Sequence, residues 1–269
     1  MNLEAVQYWV FFVISIINIG CIAYCCIKLQ PLPKFKLAVV ALVFFFMQTL
    51  EAILHLIPDW FPDLKTFFVW FSYLHYVEQP IYLNILLYVL YHKNQDKSFA
   101  IVRFVLPLCI VSSLLGFSRI ISNENISCEP GSELFCGPTN DMVKEGYNVL
   151  WTLKLRKQGP LTPSSFTNNL LVHGPAILLG ELPVIIASIV HLICGTIYLS
   201  FFTVNGKEFN LTFDPIMSTY AIVLVLLYLK KEKNPKETEQ NGEESSSSVV
   251  TDTQSAEESP IRQRSVVRE

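Results

Sequence analysis

Long runs of uncharged apolar residues are the feature that most constrains this chain. Leu37 to Met47 and Phe104 to Leu115 contain no charged residue and are apolar on every face of a helix. A strand of a membrane barrel would instead alternate apolar and polar residues. Because 51% of the residues are hydrophobic and only 16% are charged, such helices require a bilayer as their solvent. We therefore predict an all-α, multi-pass integral membrane protein.

Seven segments are long enough to cross a bilayer, which takes about 20 mostly apolar residues. The predicted spans are residues 8–29, 37–57, 67–91, 99–121, 166–183, 184–203 and 213–229. Residues 122–165 are predicted to form a loop, in which the alternating residues 149–155 indicate a short strand or an interfacial segment. Residues 230–269, rich in Glu and Ser, are predicted to be a disordered tail. Because little more than Gly180 and Pro183 separates the fifth and sixth spans, one kinked helix or a re-entrant pair is an alternative.

The distribution of basic residues orients the predicted seven-helix bundle. If the N-terminus lies outside, the short cytosolic segments carry Lys28, Lys34, Lys36, Lys93, Lys97, Arg103, Lys230, Lys231, Lys233 and Lys236. The short outer segments then carry only Lys65 and Lys207. Such an excess of positive charge inside is typical of membrane proteins. We predict an outer N-terminus and a cytosolic C-terminus, in the plasma membrane or the endoplasmic reticulum.

The long loop and the tail carry modification motifs that fit this orientation. Cys128 and Cys136 lie close together in the predicted outer loop, where an oxidising compartment favours a disulfide. Asn125 begins the sequence Asn-Ile-Ser, which is an acceptor for an N-linked glycan. In the tail, Ser259 and Ser265 lie in motifs that kinases phosphorylate, and the tail is a candidate binding segment for cytosolic partners.

Ionisable side chains inside the predicted spans are the most informative residues, because burying them in lipid is unfavourable by several kcal/mol. An outer-half pocket is predicted to contain Glu51, His55, His75, Glu78, His173 and Asp214. Glu51 and His75 lie roughly 9 to 12 Å below the outer end of a helical hairpin, so we expect them to meet. Glu181 and His191 fall instead in the predicted inner half.

Three functions are compatible with this cluster. It could relay protons, or bind a small ligand, an ion or a lipid, in a receptor-like or transporter-like bundle. Alternatively, His55, His75 and His173 could hold zinc for the hydrolysis of lipid, but no closely spaced histidine pair supports this, and no cofactor is expected. The third possibility is hydrogen bonding between helices with no further role. The sequence favours binding or transport over an enzymatic role, and it lacks the basic stripe of a nucleic-acid-binding protein.

One pattern resembles a known family. It consists of His75-x-x-x-Gln79-Pro80 followed by Asn84, with the later Cys136-Gly137-Pro138-x-Asn140 and Trp151. These residues are similar to those of an uncharacterised family of multi-pass, seven-helix membrane proteins, over about half of the chain. The resemblance implies the fold class and no activity.

Overall fold

The computed structural model describes residues 3–32, 34–55, 65–91, 95–119, 141–145, 148–152, 165–202 and 210–233. The α-helices are α1 (Leu3–Leu29), α2 (Phe35–His55), α3 (Lys65–Leu90), α4 (Gln95–Ala100), α5 (Leu106–Ser118), α6 (Ser165–Leu178), α7 (Leu182–Phe202) and α8 (Asn210–Lys233). A π-helical turn, Ile101–Val105, joins α4 to α5. The described part of the chain is therefore all-α, as the sequence predicted, apart from one short hairpin.

This hairpin consists of two antiparallel strands, β1 (Asp141–Glu145) and β2 (Asn148–Thr152). Met142 pairs with Trp151, and Val143 pairs with Leu150. Strand β2 overlaps residues 149–155, whose alternation indicated a strand or an interfacial segment, and it begins one residue earlier and ends three residues earlier. Strand β1 lies beside α3.

The helices of the compact unit Met1–Lys230 pack mainly as neighbours in sequence. Helix α2 packs against α1 and α3, and α3 also contacts α5 and α6. Long-range hydrogen bonds attach α8 to the first two helices, among them the bond that the Thr219 hydroxyl donates to the Asn18 side-chain oxygen (3.1 Å). The Asn18 side-chain amide donates to the Pro215 carbonyl (2.9 Å), and the Ser218 hydroxyl donates to the Phe45 carbonyl (3.1 Å). These bonds connect the last helix to the beginning of the chain.

Besides a mostly apolar core, the described helices bury several polar side chains and expose many large apolar ones. The buried polar residues include Gln48, Glu51, His75, Gln79, Asn84, His173 and His191. The exposed apolar residues include Val13, Ile17, Val43, Phe104, Leu108, Leu114, Ile186 and Ile193. Among the described residues, Trp9–Leu29 and Ser98–Ser118 are helices long and apolar enough to cross a membrane, and Leu182–Cys194 is a shorter apolar helix.

Residues 165–202 fold as two helices and not as one kinked helix. Helix α6 ends at Leu178 and α7 begins at Leu182, and Gly180 between them has a φ of 74°. Glycine is favoured in this left-handed conformation because it has no Cβ. The two helices then pack against each other as a hairpin.

A proline inside α3 leaves one backbone carbonyl without its helical partner. Pro80 has no N–H, so it cannot donate to the carbonyl of Tyr76 one turn earlier. The side-chain amide of Asn168, on α6, donates to this carbonyl at 3.4 Å. A residue of a neighbouring helix thus replaces the bond that the proline removes.

The same exchange occurs in the opposite direction. Pro175 inside α6 cannot donate to the carbonyl of Leu171. The side-chain amide of Asn84, on α3, donates to that carbonyl at 2.9 Å, and also to the Pro80 carbonyl of its own helix at 2.7 Å. Each helix therefore supplies an asparagine that donates to the carbonyl left without a backbone donor by the other helix's proline. We call this arrangement the proline–asparagine exchange.

The exchange predicts a specific energetic coupling between Pro80 and Asn168. We expect Asn168→Leu to lower the free energy of unfolding by about 1 kcal/mol, because the Tyr76 carbonyl loses its donor. In a Pro80→Ala background the same change should have little effect, because the restored backbone N–H bonds that carbonyl. Titration of the purified protein with SDS in mixed micelles measures both values.

The matched control is Asn168→Leu in a Pro175→Ala background, where the full loss should remain. Pro175 affects the carbonyl of Leu171, which Asn168 does not contact in this arrangement. Equal losses in the two proline backgrounds would contradict the exchange.

Candidate functional site

The α2–α3 hairpin brings together the two ionisable residues that the sequence predicted to meet. Glu51 lies near the end of α2, and His75 lies in the first half of α3. The Glu51 carboxylate oxygen Oε2 contacts the imidazole Nδ1 of His75 directly. The two residues are only 1% and 2% exposed, respectively. The structure therefore contains a buried acid–base pair in which the two side chains can hold a proton between them.

Aromatic rings contact the His75 member of this pair. The Phe44 ring meets the His75 ring edge to face at a centroid distance of 5.0 Å, and the Phe71 ring lies 4.2 Å from it. Phe44 also stacks on Tyr82 at 4.0 Å. Because apolar rings lower the local dielectric, the interaction between the carboxylate and the imidazole is stronger here than in water.

A stripe of polar side chains continues from the pair along α3. Ser72, His75 and Gln79 have the spacing of one helix face, and all three are buried. Within the part of the chain that the structure describes, the Ser72 hydroxyl and both polar atoms of the Gln79 amide have no hydrogen-bond partner. Buried polar groups are usually satisfied by protein or by ordered water. This stripe thus offers donors and acceptors to a small polar molecule.

A second buried cluster lies between α6, α7 and α8. Nε2 of His173 and Nδ1 of His191 are 3.2 Å apart, a hydrogen-bond distance. The Tyr220 ring stacks on the His191 ring at 4.6 Å and lies 5.3 Å from the His173 ring. The Tyr220 hydroxyl and the Ser188 hydroxyl are 2.6 Å apart, and Ser188 donates to the Val184 carbonyl at 2.8 Å.

The sequence analysis missed the contact between the two histidines, because it assigned His173 to the outer half and His191 to the inner half. The turn around Gly180 comes earlier than the predicted boundary between the fifth and sixth spans. His173 lies five residues before the end of α6, and His191 lies nine residues after the start of α7, so each is near the middle of its helix. Counting both depths from the turn that the two helices share would have placed the residues within about 6 Å of one level.

The remaining predicted site residues divide into two groups. Glu78 is half-buried on α3. The side chains of His55 and Asp214 lie outside the described residues, as do Asn125, Cys128, Cys136, Ser259 and Ser265. The cysteines that the structure describes, Cys21, Cys25, Cys26, Cys109 and Cys194, are free thiols.

A metal site is not assembled among the side chains that the structure describes. In that part of the chain, no group of three or more His, Cys, Asp or Glu residues is arranged to hold an ion. His75 contacts Glu51, and His173 contacts His191. The zinc alternative also requires His55, whose side chain is outside the described residues.

The architecture and the two clusters together define a helical-bundle protein with ionisable residues in its interior. The model of a family of unknown function, DUF5765, matches residues 9–233, and the chain belongs to this family. No curated protein and no solved structure matches the chain. Since the description of the family names no activity, inference about function depends on the geometry of the two clusters.

The acid–base pair predicts a strong dependence of stability on His75. We expect His75→Leu to lower the free energy of unfolding by about 3 kcal/mol, because the buried Glu51 carboxylate loses its imidazole partner. Adding Glu51→Gln should recover part of this loss, since the buried carboxylate that has lost its imidazole partner is then replaced by a neutral amide. SDS titration of the two single variants and the double variant measures the coupling, and strictly additive losses would contradict a direct interaction.

Proposed function

We propose that this protein is a seven-span membrane protein in which the Glu51–His75 pair binds and releases a proton as the centre of a receptor-like or transporter-like polar site. The observation that carries the proposal is the direct contact of a buried carboxylate with a buried imidazole. Ionisable residues at depth in a membrane are costly, and they typically belong to proton pathways or to ligand and ion sites.

The distribution of side chains supports a membrane location. Two helices have the length and composition of membrane spans, and apolar side chains cover the outside of the bundle while polar ones lie inside. A lipid solvent favours this distribution, because polar groups must then find their partners within the protein. The proposed arrangement has the N-terminus outside and the tail in the cytosol, as the basic residues indicate.

The chemistry of the pair suits reversible proton binding. A carboxylate and an imidazole that touch can share one proton. The protonated pair then has no net charge, whereas a protonated histidine alone carries one positive charge. A cation or an ammonium group that approaches the carboxylate competes with that proton. Binding of such a ligand would therefore release a proton, which couples the occupancy of the site to pH.

The stripe next to the pair supplies neutral recognition groups. The Ser72 hydroxyl and the Gln79 amide face the same side of α3 as His75, and their polar atoms have no partner in the described part of the chain. They can hydrogen-bond to a small polar ligand or to water molecules that carry protons. The site as proposed thus combines one charged pair with two neutral groups.

Proton transport by the reconstituted chain tests this proposal. Liposomes that contain the full-length protein and a trapped pH-sensitive dye should dissipate an imposed pH gradient. Glu51→Gln and His75→Gln should slow the dissipation by about 100-fold, because each replaces a titratable group by an amide of similar size. Ser113→Ala, a buried change on α5, is the control and should leave the rate unchanged.

Two negative results together would show that the pair is only structural. The first is that the wild-type protein dissipates the gradient no faster than protein-free liposomes. The second is that neither variant alters the proton release that accompanies addition of sodium or zinc ions. Stoichiometric zinc in the purified protein would instead favour the hydrolase alternative.

The proposed topology has its own test. Epitope tags at the two ends should be reached differently in intact cells, with the N-terminal tag labelled and the C-terminal tag labelled only after permeabilisation. Labelling of the C-terminal tag in intact cells would overturn the proposed orientation.

A further inference from the structure

The His173–His191 pair, between α6 and α7, lies at a different level along the helix axes from the Glu51–His75 pair. The Ser218 hydroxyl of α8 bonds the Phe45 carbonyl, which is about 9 Å along α2 from Glu51. Tyr220, half a turn beyond Ser218, is the residue that stacks on His191. The two ionisable clusters are thus displaced along the helix axes.

The two imidazoles have the geometry of a proton-transfer pair. Their facing nitrogens are 3.2 Å apart, and each ring comes from a different helix. His173 is only 4% exposed, and its second nitrogen, Nδ1, has no hydrogen-bond partner among the described residues. An imidazole that bonds through one nitrogen and has the other available can accept a proton on one side and donate one on the other.

We propose that His173 and His191 form a second proton-transfer site, which continues the route that begins at Glu51 and His75. This inference rests on the proposed function of the first pair. It concerns a different cluster, with a proton as its ligand, and it assigns a role to His191, which the sequence analysis left outside the site.

The number of protons is balanced at each step of the transfer. A proton from water binds Nδ1 of His173, and the proton on Nε2 of His173 moves across the hydrogen bond to Nδ1 of His191. His191 then releases the proton on its own Nε2 to water, a step that requires its hydrogen bond to the Ile216 backbone to open. One proton enters and one leaves. Rotation of both rings then again presents a protonated nitrogen of His173 to an unprotonated nitrogen of His191.

Among the described residues, the side chain that faces both rings of the pair is uncharged and polar. From α8, the Tyr220 ring faces both histidines, and its hydroxyl is held by Ser188 of α7. His191 also bonds the backbone of Ile216. Beyond them, the Tyr91 ring meets the Tyr228 ring edge to face at a centroid distance of 6.2 Å, and Glu181 lies at the turn between α6 and α7. These groups extend the polar interior towards that turn.

Two substitutions separate proton transfer from simple helix packing. His173→Gln places an amide nitrogen near the position of Nε2, and His191→Asn places one near the position of Nδ1. Both variants therefore keep a hydrogen-bonding group where α6 meets α7, but neither amide can carry a proton at neutral pH. Ser113→Ala on α5 is again the control.

The measurement is dissipation of a pH gradient by the full-length protein in liposomes that contain a trapped pH-sensitive dye. We expect His173→Gln and His191→Asn to slow it by about 100-fold while the SDS midpoint of unfolding stays close to that of the wild type. If Glu51→Gln abolishes dissipation but both histidine variants keep the wild-type rate, the second site is refuted and the first stands.

If the wild type itself dissipates no gradient, this inference fails, and the proposed function of the first pair is then decided by the proton release that accompanies addition of sodium or zinc ions. A variant that loses dissipation and also unfolds at a much lower SDS concentration would indicate a packing role and would count against the relay. In that case, histidine NMR of the folded wild type provides the second test: resonances of His173 and His191 that do not change with pH would overturn the proposal.

Discussion

The need to satisfy backbone carbonyls away from water is the constraint on which the rest of this structure depends. Prolines inside α3 and α6 each leave one carbonyl without its helical donor, and in an apolar surrounding such a group is costly. Asn84 and Asn168 satisfy them across the interface between the two helices. Because each asparagine serves the other helix, α3 and α6 are fixed to one another in both position and register.

This fixed pair of helices carries one member of each ionisable cluster. His75 lies about one turn before Pro80, and His173 lies half a turn before Pro175. The partners come from α2 and α7, which pack against α3 and α6, respectively. A change of helix geometry at either proline would therefore move a histidine relative to its partner. The proline–asparagine exchange thus positions both clusters, and the proposed chemistry depends on this packing.

Local patterns predicted part of this arrangement, and long-range packing decided the remainder. Glu51 and His75 were expected to meet because a short connection sets the register of α2 against α3, so distance from the turn predicts depth. For His173 and His191 the same reasoning failed, since the depth of His173 was counted from the outer end of its helix and that of His191 from the inner end, although both lie near the middle of their helices. The role of Asn84 in capping a carbonyl of α6 follows from the packing of helices distant in sequence, which no local pattern contains.

The most direct test of the account is whether Glu51 changes its protonation in the folded protein. Infrared difference spectra of the purified full-length chain, recorded between acidic and neutral pH, report the carbonyl stretch of protonated carboxyl groups. The account predicts a band that disappears in Glu51→Gln and shifts in His75→Gln, because the imidazole contacts that carboxyl group. Identical spectra for the wild type and Glu51→Gln would contradict it, since the buried pair would then neither bind nor release a proton.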